Sequence, residues 1–351
     1  MNHRGVAIAL FALMMFLVPL LALTGEKVDV QFSNSSDAYG ASSKMQPQQD
    51  RASQPQPEEH VKPSETISVS GENFRILNEH TGKIFEVSPR DYVRGALAAE
   101  MPPTFHPEAM KAQAVAAHTY ALCRRGQARA NGENSDFSAD PENWKVYTTE
   151  KLFRERYGDL ADTYWKAICQ AADEVAGYIL TYEGEPIVAA YHSMSSGKTE
   201  DASNVWTGGK PYLVPVDSFG DTLAPDYRMT VTFSADELAG ALRKTWPDIV
   251  LEGDASGWIG KEQRSESGYI TEITVGNQTV SGADFRTALD LRSSDFTVSY
   301  DGGEFTFKVV GYGHGVGLSQ YGADYMARQG ASFDEILLHY YQGAKLAATS
   351  P

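Results

Sequence analysis

The stretch DYVRGALAAEMPPTFHPEAMKAQAVAAHTYAL, residues 91–122, decides how the first half of the chain folds. Ser88 and Pro89 stand just before it and form a helix start signal, with serine as the N-cap and proline in the first turn. The pair of prolines after EM ends that helix, because proline lacks a backbone N–H and clashes with the preceding turn. A second helix is predicted from Pro107 through the alanine-rich run, since alanine is the strongest helix former.

The other elements follow from periodicity and turn residues. A third helix is predicted over about 160–176, and shorter helices at 234–245, 281–289 and 319–329. Beyond Gly177, alternating apolar and polar residues between turns predict strands within the segments 178–193, 212–218, 269–282 and 296–311. We therefore predict an α+β fold, with helices in the first half and a mainly antiparallel sheet in the second.

A membrane anchor and a linker are predicted on the N-terminal side of this domain. Val6–Leu23 is an uninterrupted apolar run that, as a helix, barely spans a bilayer core of about 30 Å; a cleaved signal peptide is the alternative. From Gln31 to Glu65 the chain is rich in Ser, Gln, Pro and charge, which indicates a flexible tether. The predicted organisation is a short N-terminal segment and transmembrane anchor at 1–24, a polar linker at 25–66 and an extracytoplasmic domain at 67–347, with the N-terminus cytoplasmic.

The charge balance restricts the class of partner. The formal net charge of −16 argues against nucleic acid or an anionic lipid surface, because both repel an acidic protein. A largely neutral polymer fits better. Cys123 and Cys169 are the two cysteines, and the sequence leaves open whether they are free thiols or a disulfide.

Glu100 is the strongest candidate for a catalytic group. It follows Val93 and Leu97 at helical spacing, so it shares their apolar face in the last turn of the first predicted helix. Burial and the negative end of the helix dipole both disfavour an ionised carboxyl there, which raises its pKa toward the range of a general acid. The alternative is a frayed helix end with Glu100 turned to water.

Two further segments combine polar groups with glycine. The segment 189–206 places His192, Ser193 and several other polar residues just after an apolar strand, a position that often lines a site. The segment GYGHGVGLSQYG, 311–322, has glycine at alternate positions around His314, which indicates close packing of its backbone. It lacks the spacing of a phosphate loop, and the chain has no HExxH, CxxC or GxSxG motif.

The three segments in this order resemble the stage II sporulation protein D family: residues 91–122, then YHSMSSGKTEDASNVWTGGKPYLVPVDS at 191–218, then GYGHGVGLSQYGADYMARQGASFDEILLHYYQG at 311–343. The resemblance covers most of 67–343. It implies a peptidoglycan lytic transglycosylase with a glycan-binding groove, acting outside the membrane during engulfment of the forespore. It also implies, as partners, glycan strands stripped of stem peptides by a sporulation amidase and a membrane scaffold of the engulfment machinery.

The resemblance also assigns residues. The family's catalytic glutamate lies in an AxEMP motif, which corresponds to Glu100. Substrate contacts are expected from polar residues of all three segments: Gln113, His192, Ser193, Ser195, Thr199 and His314. Family members often carry arginine where this chain has His118, which puts a charge-based role there in doubt. Some relatives bind zinc after the second helix, where this chain has neither Cys nor His, so we expect no metal and no cofactor.

Two rival functions remain open at this point. Relatives grouped with the family are described as amidase enhancers, so a non-catalytic wall-binding protein that stimulates an N-acetylmuramoyl-L-alanine amidase is the main one. The other is a metal-dependent peptidoglycan amidase that uses His192, Glu200 and His314. The presence of Glu100 within AAEMP favours the transglycosylase.

The apolar run leads to the first testable prediction: the mature protein keeps Val6–Leu23. The run lacks a convincing cleavage site, since only Ala22-Leu23-Thr24 approximates the small-x-small pattern. N-terminal sequencing of the protein from membranes should therefore begin upstream of residue 6. A soluble form that begins near Gly25 would contradict the prediction.

Overall fold

The computed structural model describes residues 63–350. The predicted anchor at 1–24 and nearly all of the predicted linker at 25–66 lie outside the described residues. Within 63–350, no helix is both long and apolar enough to cross a membrane.

The helices of the described chain fall mostly in its first half. In chain order they are α1 Pro89–Glu100, α2 Pro107–Ala130, α3 Glu150–Tyr157, α4 Ala161–Glu174, α5 Ala202–Val205, α6 Ala235–Thr245, α7 Gly282–Ala288, α8 Gln320–Arg328 and α9 Phe333–Tyr340.

The strands form several small sheets. They are β1 Glu65–Ser68, β2 Phe74–Asn78, β3 Ile84–Val87, β4 Phe137–Ala139, β5 Tyr178–Tyr182, β6 Glu185–Pro186, β7 Tyr191–His192, β8 Arg228–Ser234, β9 Ile259–Arg264, β10 Ile270–Val275, β11 Gln278–Ser281, β12 Phe296–Asp301, β13 Glu304–Val310, β14 Leu318–Ser319 and β15 Lys345–Ser350. The sheet orders are β3-β2-β4, β1-β15-β5-β6, β11-β10-β9, β12-β13-β8 and β14-β7. Most pairs are antiparallel, and β1-β15, β2-β4 and β7-β14 are parallel. The predicted α+β class is confirmed.

Over residues 63–350 the buried hydrophobic residues form two clusters. The larger one joins α1, α2, α4, α8 and α9 with the strands that flank them. The smaller one lies within the stretch from Leu238 to Val309, where β8 to β13 pack against α6 and α7. All three segments that the sequence singled out contribute to the larger cluster.

Local sequence signals account for most element boundaries. The Ser88 hydroxyl accepts a hydrogen bond from the Asp91 backbone N–H at 3.1 Å, as an N-cap does, and α1 ends at Glu100 as predicted. The predicted second and third helices and the three shorter ones are also confirmed. Helices α3, α5 and α9 were not predicted. The short length of each leaves few periods from which an amphipathic pattern can be read.

One predicted strand is wrong. Residues 212–218 form no β-ladder, although Asp217 makes an isolated bridge with Lys198. Thr199 holds this segment instead, because its hydroxyl accepts from the Val216 N–H at 2.8 Å. Pro215, which has no N–H to donate, lies in the middle of the segment and disfavours ladder pairing.

A buried carboxylate joins the second and third singled-out segments. Asp221 is fully buried and accepts hydrogen bonds from the Ser195 N–H at 2.7 Å, the Ser195 hydroxyl at 2.5 Å and the Ser319 hydroxyl at 2.6 Å. Close backbone packing reinforces the junction, as the alternate glycines predicted. Gly317 has φ 74°, and a Cβ there would lie 2.1 Å from the Ala190 carbonyl oxygen.

This network leads to a stability prediction. Asp221→Ala should lower the free energy of unfolding by about 2–4 kcal/mol, because it leaves the Ser195 N–H and hydroxyl buried without this acceptor and removes the closer of the two acceptors of the Ser319 hydroxyl. Urea unfolding followed by circular dichroism measures the loss. Asp248→Ala, at an exposed loop position, is the matched control and should change stability by less than about 0.5 kcal/mol. Equal stability of the two variants would show that the network contributes little.

Candidate active site

Helix α1 carries Glu100 in its last turn. Val93 and Leu97 on the same face are buried in the larger cluster, and Glu100 itself is partly buried. Burial raises the pKa of Glu100 to about 7, while a hydrogen bond from the Val146 backbone N–H acts in the opposite direction. The predicted rise in pKa is confirmed. A substantial fraction of the carboxyl is therefore protonated near neutral pH, as proton donation requires.

Two tyrosines lie near this carboxyl. The pKa of Tyr191 is raised well above its usual value. Burial is the largest cause, and the negative charge of Glu100 and the neighbouring phenols add to it. Burial, and to a lesser extent Glu100, does the same for Tyr92. Both phenols are therefore neutral at neutral pH. The sequence reasoning missed both tyrosines, although Tyr191 directly precedes the polar cluster that drew attention to His192.

Helix α1 is held in place by an ion-pair cluster. Asp173 on α4 accepts from Arg90 at 3.0 and 2.8 Å and from Arg94 at 3.1 and 2.6 Å. Hydrogen bonding to Arg90 is the largest of the effects that lower the pKa of Asp173 to about 2. These paired contacts fix α1 against α4, and with it the position of the turn that carries Glu100.

Three predicted substrate contacts are fully buried: Gln113, Ser195 and Thr199. Ser195 binds Asp221, and Thr199 lies against the carbonyl groups of Val214 and Val216. In the structure, the side chains of Ser195 and Thr199 therefore hydrogen-bond to other groups of the protein. Contact of any of the three with a glycan stays a prediction. Ser193 is partly exposed, so its side chain is the most accessible of the predicted serine and threonine contacts.

The structure brings His192 and His314 together. Their ring centroids lie 5.6 Å apart. Both rings bind the backbone of Val316: His192 Nδ1 donates to the Val316 carbonyl at 3.1 Å, and the Val316 N–H donates to His314 Nδ1 at 3.0 Å. Burial lowers the pKa of His192 to about 4 and that of His314 well below its usual value. Burial likewise lowers the pKa of His118 to about 4. None of the three carries a positive charge at neutral pH.

The residues of the rival metal site have other partners. Glu200 is buried and accepts hydrogen bonds from the Asp201 N–H at 2.7 Å, from Asn204 at 3.0 Å and from the Ser265 hydroxyl. Over residues 63–350, no group of three His, Cys, Asp or Glu side chains is arranged to hold a metal ion. Cys123 and Cys169 are free thiols in partly exposed positions.

The raised pKa of Glu100 has a consequence for stability that can be measured without substrate. The carboxyl has a pKa of about 7 in the folded state and 4.5 as its ordinary value, so its contribution to stability is fully present below pH 4.5 and is lost as the pH rises through 7. Glu100→Gln removes this loss. The variant should gain up to about 3 kcal/mol over the wild type between pH 4.5 and pH 8.

Thermal or urea unfolding of both proteins across this pH range measures the gain. A difference in stability that stays constant from pH 4.5 to pH 8 would mean that the Glu100 carboxyl titrates alike in the folded and unfolded states.

Comparison with known proteins gives the family. A family model described as Stage II sporulation protein matches residues 78–182. Stage II sporulation protein D of Bacillus subtilis (strain 168) is 34% identical over 288 residues, covering 82% of this chain and 82% of the relative. The protein of the same name from Bacillus amyloliquefaciens is 35% identical over 284 residues, with 80% of each covered.

A more distant relative carries a different name. The protein named Amidase enhancer of Bacillus subtilis (strain 168) is 27% identical, and the match covers 73% of this chain and 40% of that protein. The region matched by the family model contains α1 with Glu100, residues 144–148 and α4. By the extent and identity of its match to the two sporulation proteins, the chain belongs to the stage II sporulation protein D family.

Proposed function

We propose that this protein is a sporulation cell-wall enzyme, a lytic transglycosylase that cleaves the bond between N-acetylmuramic acid and N-acetylglucosamine in glycan strands without stem peptides. The observation that carries the proposal is the Glu100 carboxyl at the end of α1, whose pKa burial raises to about 7, so that a substantial fraction of it is protonated near neutral pH. The names of the sporulation relatives support the biological setting.

The proposed reaction needs one carboxyl that acts twice. Glu100 first donates its proton to the glycosidic oxygen, and the bond from that oxygen to C1 of muramic acid breaks. The 6-hydroxyl of the same sugar then bonds to C1, and its proton passes to the Glu100 carboxylate. The products are a 1,6-anhydromuramic acid end and a free 4-hydroxyl on N-acetylglucosamine, and Glu100 regains its proton.

The internal nucleophile explains why a second carboxylate is not required. Glycosidases that use water need two carboxyl groups, one as acid and one as nucleophile or base. In the proposed reaction the substrate itself supplies the nucleophile. The Glu100 charge raises the pKa of Tyr92 and of Tyr191, and both are neutral phenols at neutral pH. Neither phenol therefore replaces the carboxyl in the proton exchange.

We further propose that the enzyme works outside the membrane, held by the run Val6–Leu23, with a glycan-binding groove near Glu100. Its proposed partners are glycan strands, the amidase that strips them and a membrane scaffold of the engulfment machinery. The relative named Amidase enhancer supports a link to an amidase. It also supports the second candidate function, a non-catalytic wall-binding protein that stimulates that amidase.

The products of digestion distinguish these functions. Purified protein incubated with denuded glycan strands should produce 1,6-anhydro ends, detected by mass spectrometry. Glu100→Gln should lower the rate by about 10²–10⁴-fold, because it removes the transferable proton and nearly preserves the shape of the side chain. Glu86→Gln, at an exposed position of β3, is the control and should digest at the wild-type rate.

Other product patterns would reject the proposal. Glycan left intact by the wild type, together with faster peptide release when an amidase is added, would identify an enhancer. Released peptides without added amidase would identify an amidase. Wild-type rates from Glu100→Gln would exclude Glu100 as the acid.

A further inference from the structure

A small pocket lies between the two hydrophobic clusters. Its walls come from α5, from the start of β10 and from α7, and they include Trp206 of the larger cluster, Ile270 of the smaller one, Arg286 and His314. The pocket has room for the centres of water-sized groups over about 20 Å³. It therefore admits a small polar group and excludes a sugar ring.

Arg286 on α7 is a cation without a counter-ion in this pocket. Its Nε donates to the Leu291 carbonyl at 3.0 Å. With the described part of the chain it makes no other hydrogen bond and no ion pair. Burial lowers the Arg286 pKa to about 10, so the guanidinium is still charged at neutral pH. The N–H groups on its two Nη atoms thus need an acceptor, and a carboxylate fits their planar fork.

His314 adds a second donor to the same wall. Its Nδ1 accepts from the Val316 N–H at 3.0 Å, so in the neutral ring the proton lies on Nε2. This nitrogen is buried and has no hydrogen-bond partner within residues 63–350. Burial is the main cause of the low pKa values of His192 and His314, and the positive charge of Arg286 adds to it for both. A ligand oxygen would supply the acceptor that the Nε2–H lacks.

The acidic residue in the wall does not neutralise Arg286. Glu200 is buried and lines the pocket, but it makes no ion pair with Arg286. Its oxygens accept from the Asp201 N–H, from Asn204 and from the Ser265 hydroxyl. Because the whole protein has a net charge of −16, an anionic group on a ligand is held only where a local cation attracts it. The nearby Glu200 charge favours a singly charged carboxylate over a phosphate.

Strand β7 links this pocket to the catalytic candidate. The His314 ring lies 5.6 Å from that of His192 in β7. Tyr191, the other residue of β7, is within range of the Glu100 charge. The pocket and Glu100 thus adjoin the same short strand, so one extended glycan can contact both.

We propose that this pocket binds the free lactyl carboxylate of an N-acetylmuramic acid residue, with the Arg286 guanidinium and the His314 Nε2–H as donors. The lactyl group is a short side arm of the sugar. Removal of the stem peptide by an amidase converts its amide into a carboxylate, which Arg286 then recognises. The inference rests on the proposed function, from which it takes the ligand. It goes beyond that function because it assigns the residues that distinguish a stripped strand from one that still carries peptide.

The test compares two ligands that differ in this group alone. Denuded strands are used with free lactyl carboxylates or with the same groups converted to neutral methylamides. Isothermal titration calorimetry on protein that carries Glu100→Gln measures binding while the strands stay intact. The carboxylate strands should bind about tenfold more tightly, because the amide cannot pair with a cation. Adding Arg286→Gln should reduce this ratio to about 1.

Two further variants make the test specific. Arg243→Gln removes the same charge from an exposed position of α6 and should keep the tenfold ratio. Thr287 is exposed and lines the pocket, so Thr287→Glu adds a negative charge at its mouth and should lower the ratio by about threefold. If Arg286→Gln fails to fold, Thr287→Glu decides.

The results separate the inference from the proposed function. A ratio of about 1 with the natural pocket overturns the inference, and so does a folded Arg286→Gln variant that keeps the tenfold ratio. If the protein also cuts glycan, the proposed function survives that result. Because the titration needs no turnover, a ratio that depends on Arg286 in a protein that never cuts glycan would reject the proposed function and keep the carboxylate site.

Discussion

The proposed site depends on the packing of α1 between two neighbours. Asp173 of α4 accepts hydrogen bonds from Arg90 and Arg94 of α1. The Trp144–Thr148 segment packs directly onto α1 at Gly95. Both contacts lie one to three turns before Glu100, so they determine where the last turn of the helix places its carboxyl. Charge-assisted hydrogen bonds and close-packed backbone are both stiff, and a stiff support is what a proton donor needs to meet one oxygen of a polymer.

This arrangement costs stability at the same places where it supports the chemistry. Keeping Glu100 out of water disfavours its charge and raises its pKa, and Val146 occupies a strained backbone region. Both costs are offset by the large cluster of buried residues around α1 and α2. Asp221 serves the fold and not the chemistry. Its three hydrogen bonds to Ser195 and Ser319 join segments that are far apart in the sequence.

The sequence alone predicted the features of the fold that local residue patterns determine. The Ser88 cap, the alanine-rich α2 and the apolar face that carries Glu100 are all local patterns, and each is confirmed. It did not predict groups that only the fold brings together. Nothing in the letter sequence marks Val146 as left-handed, and Asp221 belongs to no motif. Tyr191 comes within range of the Glu100 charge only because the fold brings together residues that are far apart in the sequence.

The same distinction applies to the predicted sugar contacts. Polarity just after a strand suggested that Ser195 and Thr199 face a ligand, but polar side chains in such a segment also satisfy buried backbone and carboxylate groups. Here they bind Asp221 and the backbone near Val216. A pattern of residue types does not distinguish a polar group that meets substrate from one that meets the protein, because both need hydrogen-bonding partners.

The central claim is that a protonated Glu100 performs the cleavage, and the pH dependence of kcat/KM on denuded glycan tests it most directly. Because the free enzyme must hold the proton, kcat/KM should be level at acidic pH and fall about tenfold per pH unit above a midpoint near 7. A profile that stays flat from pH 6 to pH 9, or one that already falls from a midpoint near 4.5, would contradict the claim.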